Sequence, residues 1–297
     1  MTPLRHLSPF DASYPSRLRS LARPPASLTV RGGSLEAART VAIVGSRRAS
    51  GSAIDFARRL AGVLVRSGAV VVSGGALGID AAAHRGALEE GGRTWAIAGT
   101  GCEHCFPPAH ASLFEAIGAG PGVMVWPFAP SSAARPGGFI LRNRVLVALS
   151  DAVVVAQAGS RSGALRAAEC ARGLKKALWV VPASPWSAGF EGSRLLLEQG
   201  VRPLADVRTF MKTLALETKL RSGSAAAEPT RGRTTLDPIQ SAVLCATSSV
   251  PIHLDEIAEK AHVPVQAAAA ALLTLALEAV VVEDPPGSFR RSDHHKA

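Results

Sequence analysis

The strongest constraint in this sequence is an alternation. From Val41 onward, short apolar runs rich in Val and Ile take turns with stretches whose apolar residues recur at helical spacing. The runs are VAIVG (41–45), AVVVSG (69–74), TWAIAG (94–99), GVMVWP (122–127), DAVVVA (151–156) and ALWVVP (177–182). A strand with one wet face alternates apolar and polar residues; a strand apolar throughout is covered on both faces. The intervening patterns, Ile54–Arg66, Ile79–Glu90, Ala109–Gly118 and Gly163–Leu174, have the spacing of helices. Strand–helix alternation of this kind predicts an α/β fold with a doubly wound, mostly parallel sheet.

The pattern ends near residue 205. Residues 206–235 are small, polar and charged with Pro and Gly, the composition of a linker. Residues 236–297 give three short helical patterns, LDPIQSAVLCATSS, HLDEIAEKAHV and VQAAAAALLTLALEAVV, with Pro264 at a turn before the third. VVVEDPPGSFRR then reads as strand, Pro-Gly turn and strand. That outline predicts a small C-terminal winged helix-turn-helix domain.

With 47% hydrophobic and 19% charged residues over 297 positions, the chain can bury a sizeable core. No apolar run reaches the length of a membrane span, so no membrane partner is expected. The first residues, MTPLRHLSPFDASYP, lack an apolar signal core, so a cytoplasmic location is expected. Four cysteines make no disulfide framework. The net charge is +10, which points to a polyanion, although an Arg-rich, Lys-poor composition also follows from a GC-rich genome. The charge is uneven: residues 1–235 carry +14 and residues 236–297 carry −4.

Four segments fall where strands of an open α/β sheet end and ligands bind. In GSRRASG (45–51), Gly45 and Gly51 allow close backbone approach, Ser46 can cap or bond a phosphate, and Arg47 and Arg48 supply charge; the same residues also suit an ordinary turn. In SGGALGID (73–80), Ser73, Gly74 and Gly78 lie between strand and helix, where bare N–H groups can cradle a phosphate, and Asp80 caps the helix or favours its dipole. RPGGFILRNR (135–144) reads as a loop with Arg135, Arg142 and Arg144 around Phe139, which stacks on a base or joins the core; Asn143 meets a base edge or fixes the loop. In AGSRSGALRAAE (158–169), Ser162 and Gly163 open a helix, and Arg161 stands where a nucleophile elbow needs its serine. Cys102 and Cys105 form a lone CxxC, with no second pair to complete a zinc site, so neither a metal nor a cofactor is expected. His253 and His262 read as solvated surface residues.

These segments, in this order, resemble the DNA-processing protein A family. The resemblance begins at FDASYPSRLRSLARPPASLTVRGG (10–33) and runs through VAIVGSRRAS, VVSGGALGIDAAAHRGAL, GRTWAIAGTG with FPPAH, RPGGFILRNRVLVALSDAVVV and SRSGALRAAECARG to the winged-helix segment. It implies a Rossmann-like domain over 1–205, with 1–40 as an N-terminal extension, and the winged helix over 236–297. It also implies a protein that is not an enzyme, binds single-stranded DNA and loads the RecA recombinase onto it, chiefly on DNA taken up in natural transformation, as a homodimer. The family's frequent N-terminal helical domain is not expected. The resemblance carries phosphate contacts onto Gly45, Ser46, Arg47, Arg48, Ser73, Gly74, Gly78, Ser162 and Gly163. It puts Arg135 and Phe139 at the family's basic and aromatic DNA contacts, beside Arg142, Asn143 and Arg144. The chain departs from the family pattern at Gly75, Leu77, Gln157, Ala164 and Ser193, and has no Tyr before Gly51.

Two other readings use the same features. A nucleoside-monophosphate hydrolase shares this kind of sheet, but SRSGALRA has no acid within three residues of Ala164 to stabilise an oxocarbenium-like centre. A winged-helix transcription regulator needs basic and amide side chains on its third helix, and VQAAAAALLTLALE has no Lys or Arg.

Overall fold

The computed structural model describes residues 2–222, 238–277, 280–284 and 287–291. The chain divides into two compact units, Met1–Ala225 and Ala226–Ala297.

The larger unit opens with β1 (Leu4–Leu7), the single turn α1 (Ser16–Arg19) and β2 (Leu28–Gly32). Then come β3 (Thr40–Gly45), α2 (Gly51–Arg66), β4 (Val70–Ser73), α3 (Ile79–Glu89), β5 (Thr94–Ile97), α4 (Ala111–Ala119) and β6 (Val123–Trp126). The unit continues with α5 (Pro136–Ala148), β7 (Ala152–Gln157), α6 (Gly163–Gly173), β8 (Ala177–Val180), α7 (Glu191–Glu198), β9 (Arg202–Pro203) and α8 (Val207–Ser222). Among the described residues the strands form one sheet in the order β1-β2-β6-β5-β4-β3-β7-β8-β9. From β6 to β9 every neighbour is parallel; β1–β2 and β2–β6 are antiparallel. The N-terminal residues thus cap one edge of a parallel sheet.

The central strands are buried along their whole length, as apolar runs demand. Alternate residues feed different cores. Val41, Ile43, Val71 and Val154 pack with α2 and α3 on one face, while Ala42, Val44, Val72 and Val155 pack with α5 and α6 on the other. Ser50 caps α2 by accepting from the Ala53 N–H at 3.3 Å.

Two segments differ from their sequence reading. Residues 135–144, expected as a loop, are the start of α5. Arg135 is its extended N-cap residue and Pro136 sits in the first turn, where a missing N–H costs nothing. Val145 to Ala148 then drive the second half into the core. The segment expected as a linker from 206 begins as α8. Asp206 accepts from the Thr209 N–H at 2.7 Å and so caps the helix start. Val207, Phe210, Met211 and Leu214 recur at helical spacing and pack on the sheet, with Phe210 edge-on to Trp179 at 5.2 Å. The rest of the expected linker, 223–235, lies outside the described residues.

The smaller unit contains α9 (Pro238–Ala246), β10 (Ile252–His253), α10 (Leu254–Lys260), α11 (Val265–Leu277), β11 (Val281–Glu283) and β12 (Ser288–Arg291). Its strands pair in the order β10-β12-β11, and Val243, Ile257, Leu272 and Leu275 form its core. Three helices with this small sheet make the winged helix-turn-helix fold. No helix of the described residues is long and apolar enough to cross a membrane.

Phe210 tests whether α8 belongs to the large unit. Phe210→Ala should lower the stability of that unit by about 3–5 kcal/mol in urea denaturation, the cost of emptying a buried aromatic site. A change below about 0.5 kcal/mol, as at exposed positions, would show that α8 does not pack there.

Candidate nucleic-acid interface

The sheet order reverses at β3, which has β4 on one side and β7 on the other. At such a switch point neighbouring loops diverge and leave a crevice at the carboxyl ends of the strands. A cleft of about 450 Å³ lies there. The loops after β3 and β7, the start of α3 and the first turns of α5 line it through Gly45, Ser46, Arg47, Arg48, Asp80, Phe139, Arg142, Asn143, Arg161, Ser162 and Gly163, among others.

Gln157, at the end of β7, sets the height of the first loop. Its backbone carbonyl accepts from the Ser46 N–H and its side-chain carbonyl from the Ser50 N–H, both at 2.8 Å. Its amide donates to the Gly189 carbonyl at 3.2 Å. Ser46 in turn accepts from the Arg48 N–H at 3.1 Å. The other wall is joined by Asn143, which donates to the Gly163 carbonyl at 3.2 Å. Ser162 precedes α6 without a side-chain cap bond, and its Oγ is buried with no partner among the described residues. An unsatisfied hydroxyl at a helix N-terminus, beside free N–H groups, is suited to an anion.

Beneath the cleft lies a buried ion pair. Arg142 Nη1 is 3.8 Å from Asp80 Oδ2, with both side chains almost fully covered. Asp80 also accepts from the Ala76 N–H at 3.3 Å. Burial pushes the Asp80 carboxyl above the usual carboxylate range, with Arg142 pulling it down; burial likewise lowers Arg142, opposed by Asp80. Gly74 leaves room for the Arg142 guanidinium, which a Cβ at this position would displace. Gly78 has φ +76 and abuts the Ser46 carbonyl, so β4's loop and β3's loop interlock.

Phe139 is half-buried. Its ring lies 5.5 Å from that of Phe106, with the Arg47 guanidinium 5.2 Å and the Arg142 guanidinium 6.0 Å from its centroid. Arg47 therefore already rests on the ring, as a cation–π partner that an incoming base would displace or join. Arg48 and Arg161 are exposed, and neither has an acidic partner among the described residues. They can neutralise phosphates without first breaking an ion pair.

The expected residues thus separate into two groups. Gly45, Ser46, Arg47, Arg48, Phe139, Arg142, Asn143, Ser162 and Gly163 meet in one cleft. The others lie outside its lining. Ser73 is fully buried and donates to the Ile43 carbonyl at 2.6 Å; Gly74 and Gly78 hold neighbouring backbone. Arg135 is exposed at the head of α5, and Arg144 is half-buried, its charge acting on Cys170. Sequence reasoning missed three contributors. Asp80, which reads as capping its helix or favouring its dipole, lies in the first turn of α3 and is also a buried counter-ion; Arg161 reads only as standing where an elbow needs serine, and Gln157 only as a departure. The Asp80–Arg142 pairing spans 62 positions and has no local signal. Arg161 could have been found as a cation at a helix start. Ser193, another departure, accepts from the Ala158 N–H at 2.9 Å and steadies the end of β7. Cys102 and Cys105 carry free thiols.

These features define a class: a Rossmann-like sheet with an arginine-lined cleft at its switch point, joined in one chain to a winged helix. Comparison narrows it. The profile of the DNA recombination-mediator protein A family matches residues 5–215, and that of the DprA winged helix domain matches 226–287; the chain belongs to this family. It is 30% identical to Protein Smf of Synechocystis sp., over 96% of this chain and 79% of that one. Its match to a 38% identical Mycobacterium tuberculosis relative spans 42% of that protein. Among solved structures, DNA processing protein A from Streptococcus pneumoniae has a TM-score of 0.66 and 29% identity, over 70% of this chain and 74% of that one. The Helicobacter pylori protein, whose structure concerns its single-stranded DNA binding mode, also gives 0.66 and 29%, over 73% and 97%.

A buried histidine of α3 makes stability depend on pH. His84 is fully buried in α3, with Nδ1 2.7 Å from Thr94 Oγ1. Burial first, then the charges of Arg142 and His110, lower its pKa from 6.5 to about 3. The folded chain keeps this imidazole neutral down to about pH 3, while the unfolded chain protonates it near 6.5. Between those values the unfolded state binds more protons, so stability falls as pH falls. The urea midpoint should drop through this window in the wild type, and His84→Gln should flatten part of that drop. Parallel pH profiles for the two proteins would contradict the burial of a neutral imidazole.

Proposed function

We propose that the cleft at the β3–β7 switch point holds the phosphodiester backbone of single-stranded DNA. The observation that carries this reading is the convergence of unpaired Arg48 and Arg161, the N-terminus of α6 and one half-buried aromatic in one crevice. Cations and helix N-termini bind phosphates irrespective of sequence, while an aromatic face stacks on any base. The relative from Helicobacter pylori, described by its single-stranded DNA binding mode, supports the same reading. Family membership supports the further steps: the bound strand is handed to the RecA recombinase, on incoming DNA during natural transformation, by a homodimer acting in the cytoplasm.

This reading is of a binding protein, not an enzyme. Among the described residues, Asp80 is the one carboxylate lining the cleft, and it is buried against Arg142. Glu169, the acid nearest Ala164 in sequence on the α6 side, pairs with Arg166 at 3.1 Å on the surface. Neither is placed as a free carboxylate for cleaving a glycosidic bond.

Each phosphate contact removed should reduce the salt dependence of binding. For single-stranded oligonucleotides, Arg48→Ala should weaken binding and lower the slope of log K against log salt by about 0.7. An unchanged affinity and slope in a fluorescence-anisotropy salt series would overturn the assignment.

A further inference from the structure

Two large aromatics, Phe10 and Trp186, are almost fully exposed with no ring or cation partner among the described residues, and of these Trp186 lies at the carboxyl ends of the parallel strands. Trp186 is 94% exposed, whereas Trp95, Trp126 and Trp179 are 2%, 8% and 7% exposed. It sits on the loop that follows β8, at the same end of the sheet as the cleft. In the order β3-β7-β8, this loop comes next after the two that carry Arg47, Arg48 and Arg161. Adjacent strands lie about 4.8 Å apart, so the loop starts roughly two strand spacings from that of Arg48.

The loop is held in place. The Trp186 N–H donates to Ser184 Oγ at 3.3 Å, and the Ser187 N–H to the Ser184 carbonyl at 2.9 Å. Arg194 donates to the Ser187 carbonyl at 3.0 Å, and Gln157 donates to that of Gly189. Phe190 anchors the far end in the core. The same Gln157 carboxamide therefore fixes both the Arg48 loop and the Trp186 loop. A bulky ring presented to water by a braced loop is prepaid in conformational entropy for stacking.

We propose that Trp186 is a second base-stacking platform, taking a nucleotide of the same single strand after it leaves the cleft past Arg161. The proposal rests on the reading of the cleft given above. Its occupant is a nucleobase rather than a second copy of this chain. The exposed neighbours of Trp186, Pro182, Ser184, Pro185 and Ala188, are small, while a stable interface covers about 800 Å² per partner. One exposed ring on the loop next to that of Arg161 suits one base.

Because the other three tryptophans are buried, emission quenched by acrylamide reports Trp186. Oligo(dT) of about twenty nucleotides should shield it from acrylamide, whereas an oligonucleotide of about four should fill the cleft and leave it accessible. Trp186→Ala should weaken the longer oligonucleotide about 5- to 100-fold and leave the shorter one unchanged, and Trp186→Phe should recover most of the loss. Equal affinity of Trp186→Ala and wild type for the longer strand, with Trp186 still quenched in the complex, would overturn the proposal and leave the cleft reading standing. Loss of self-association in Trp186→Ala with DNA affinity intact would overturn it in favour of an interface between copies. Wild type that binds neither oligonucleotide would overturn both readings.

Discussion

The cleft depends on one buried pair. Arg142 comes from α5, Asp80 from α3, and the guanidinium lies against the backbone of Gly74 after β4. The β4–α3 stretch and α5, distant in sequence, are thus tied beneath the point where the sheet reverses. Burying two charges costs free energy, and their attraction offsets that cost only when further bonds are made. Asp80 has the Ala76 N–H, and Arg142 has the Phe139 ring. What the pair supplies is placement: Phe139 stands over the floor of the cleft, and Arg47 stands over Phe139.

A second tie runs through Gln157. A carboxamide both accepts and donates, so it can take the Ser50 N–H on one side and give a proton to the Gly189 carbonyl on the other. An ionised glutamate could keep only the first of these bonds, and it would add negative charge beside a cationic cleft. Glutamine at this position therefore suits an anion nearby and braces the next loop. The charge along the chain agrees with this arrangement. The +14 of residues 1–235 includes arginines exposed around the cleft, while the winged helix carries −4 and a third helix without Lys or Arg.

Much of this was legible in the residues. The apolar runs located β3 to β8 within a residue or two, because a strand buried on both faces leaves an unbroken hydrophobic signature. The three helices and hairpin of the smaller unit followed from periodicity and the Pro-Gly turn. The cleft loops were marked by glycines and arginines at strand ends. Other features were not visible locally. Two glycines and a proline in RPGGF imitate a loop, and the core contacts that make it a helix lie on other elements. The small, polar composition of 206–235 masks the apolar spacing of Val207, Phe210, Met211 and Leu214. Ser73, Gly74 and Gly78 look like a phosphate cradle in sequence. Only the packing of Arg142 on Gly74 and of Gly78 on the Ser46 carbonyl shows that they support the cleft instead of lining it.

The central claim is that backbone N–H groups at the switch point, together with unpaired guanidinium groups, take up the phosphates of a single strand. Amide hydrogen exchange reads those N–H groups directly. Added oligo(dT) should slow exchange in residues 45–48, in the loop after β3, and 160–166, at the start of α6. Protection confined to residues 238–291, with these two segments unchanged, would contradict the account.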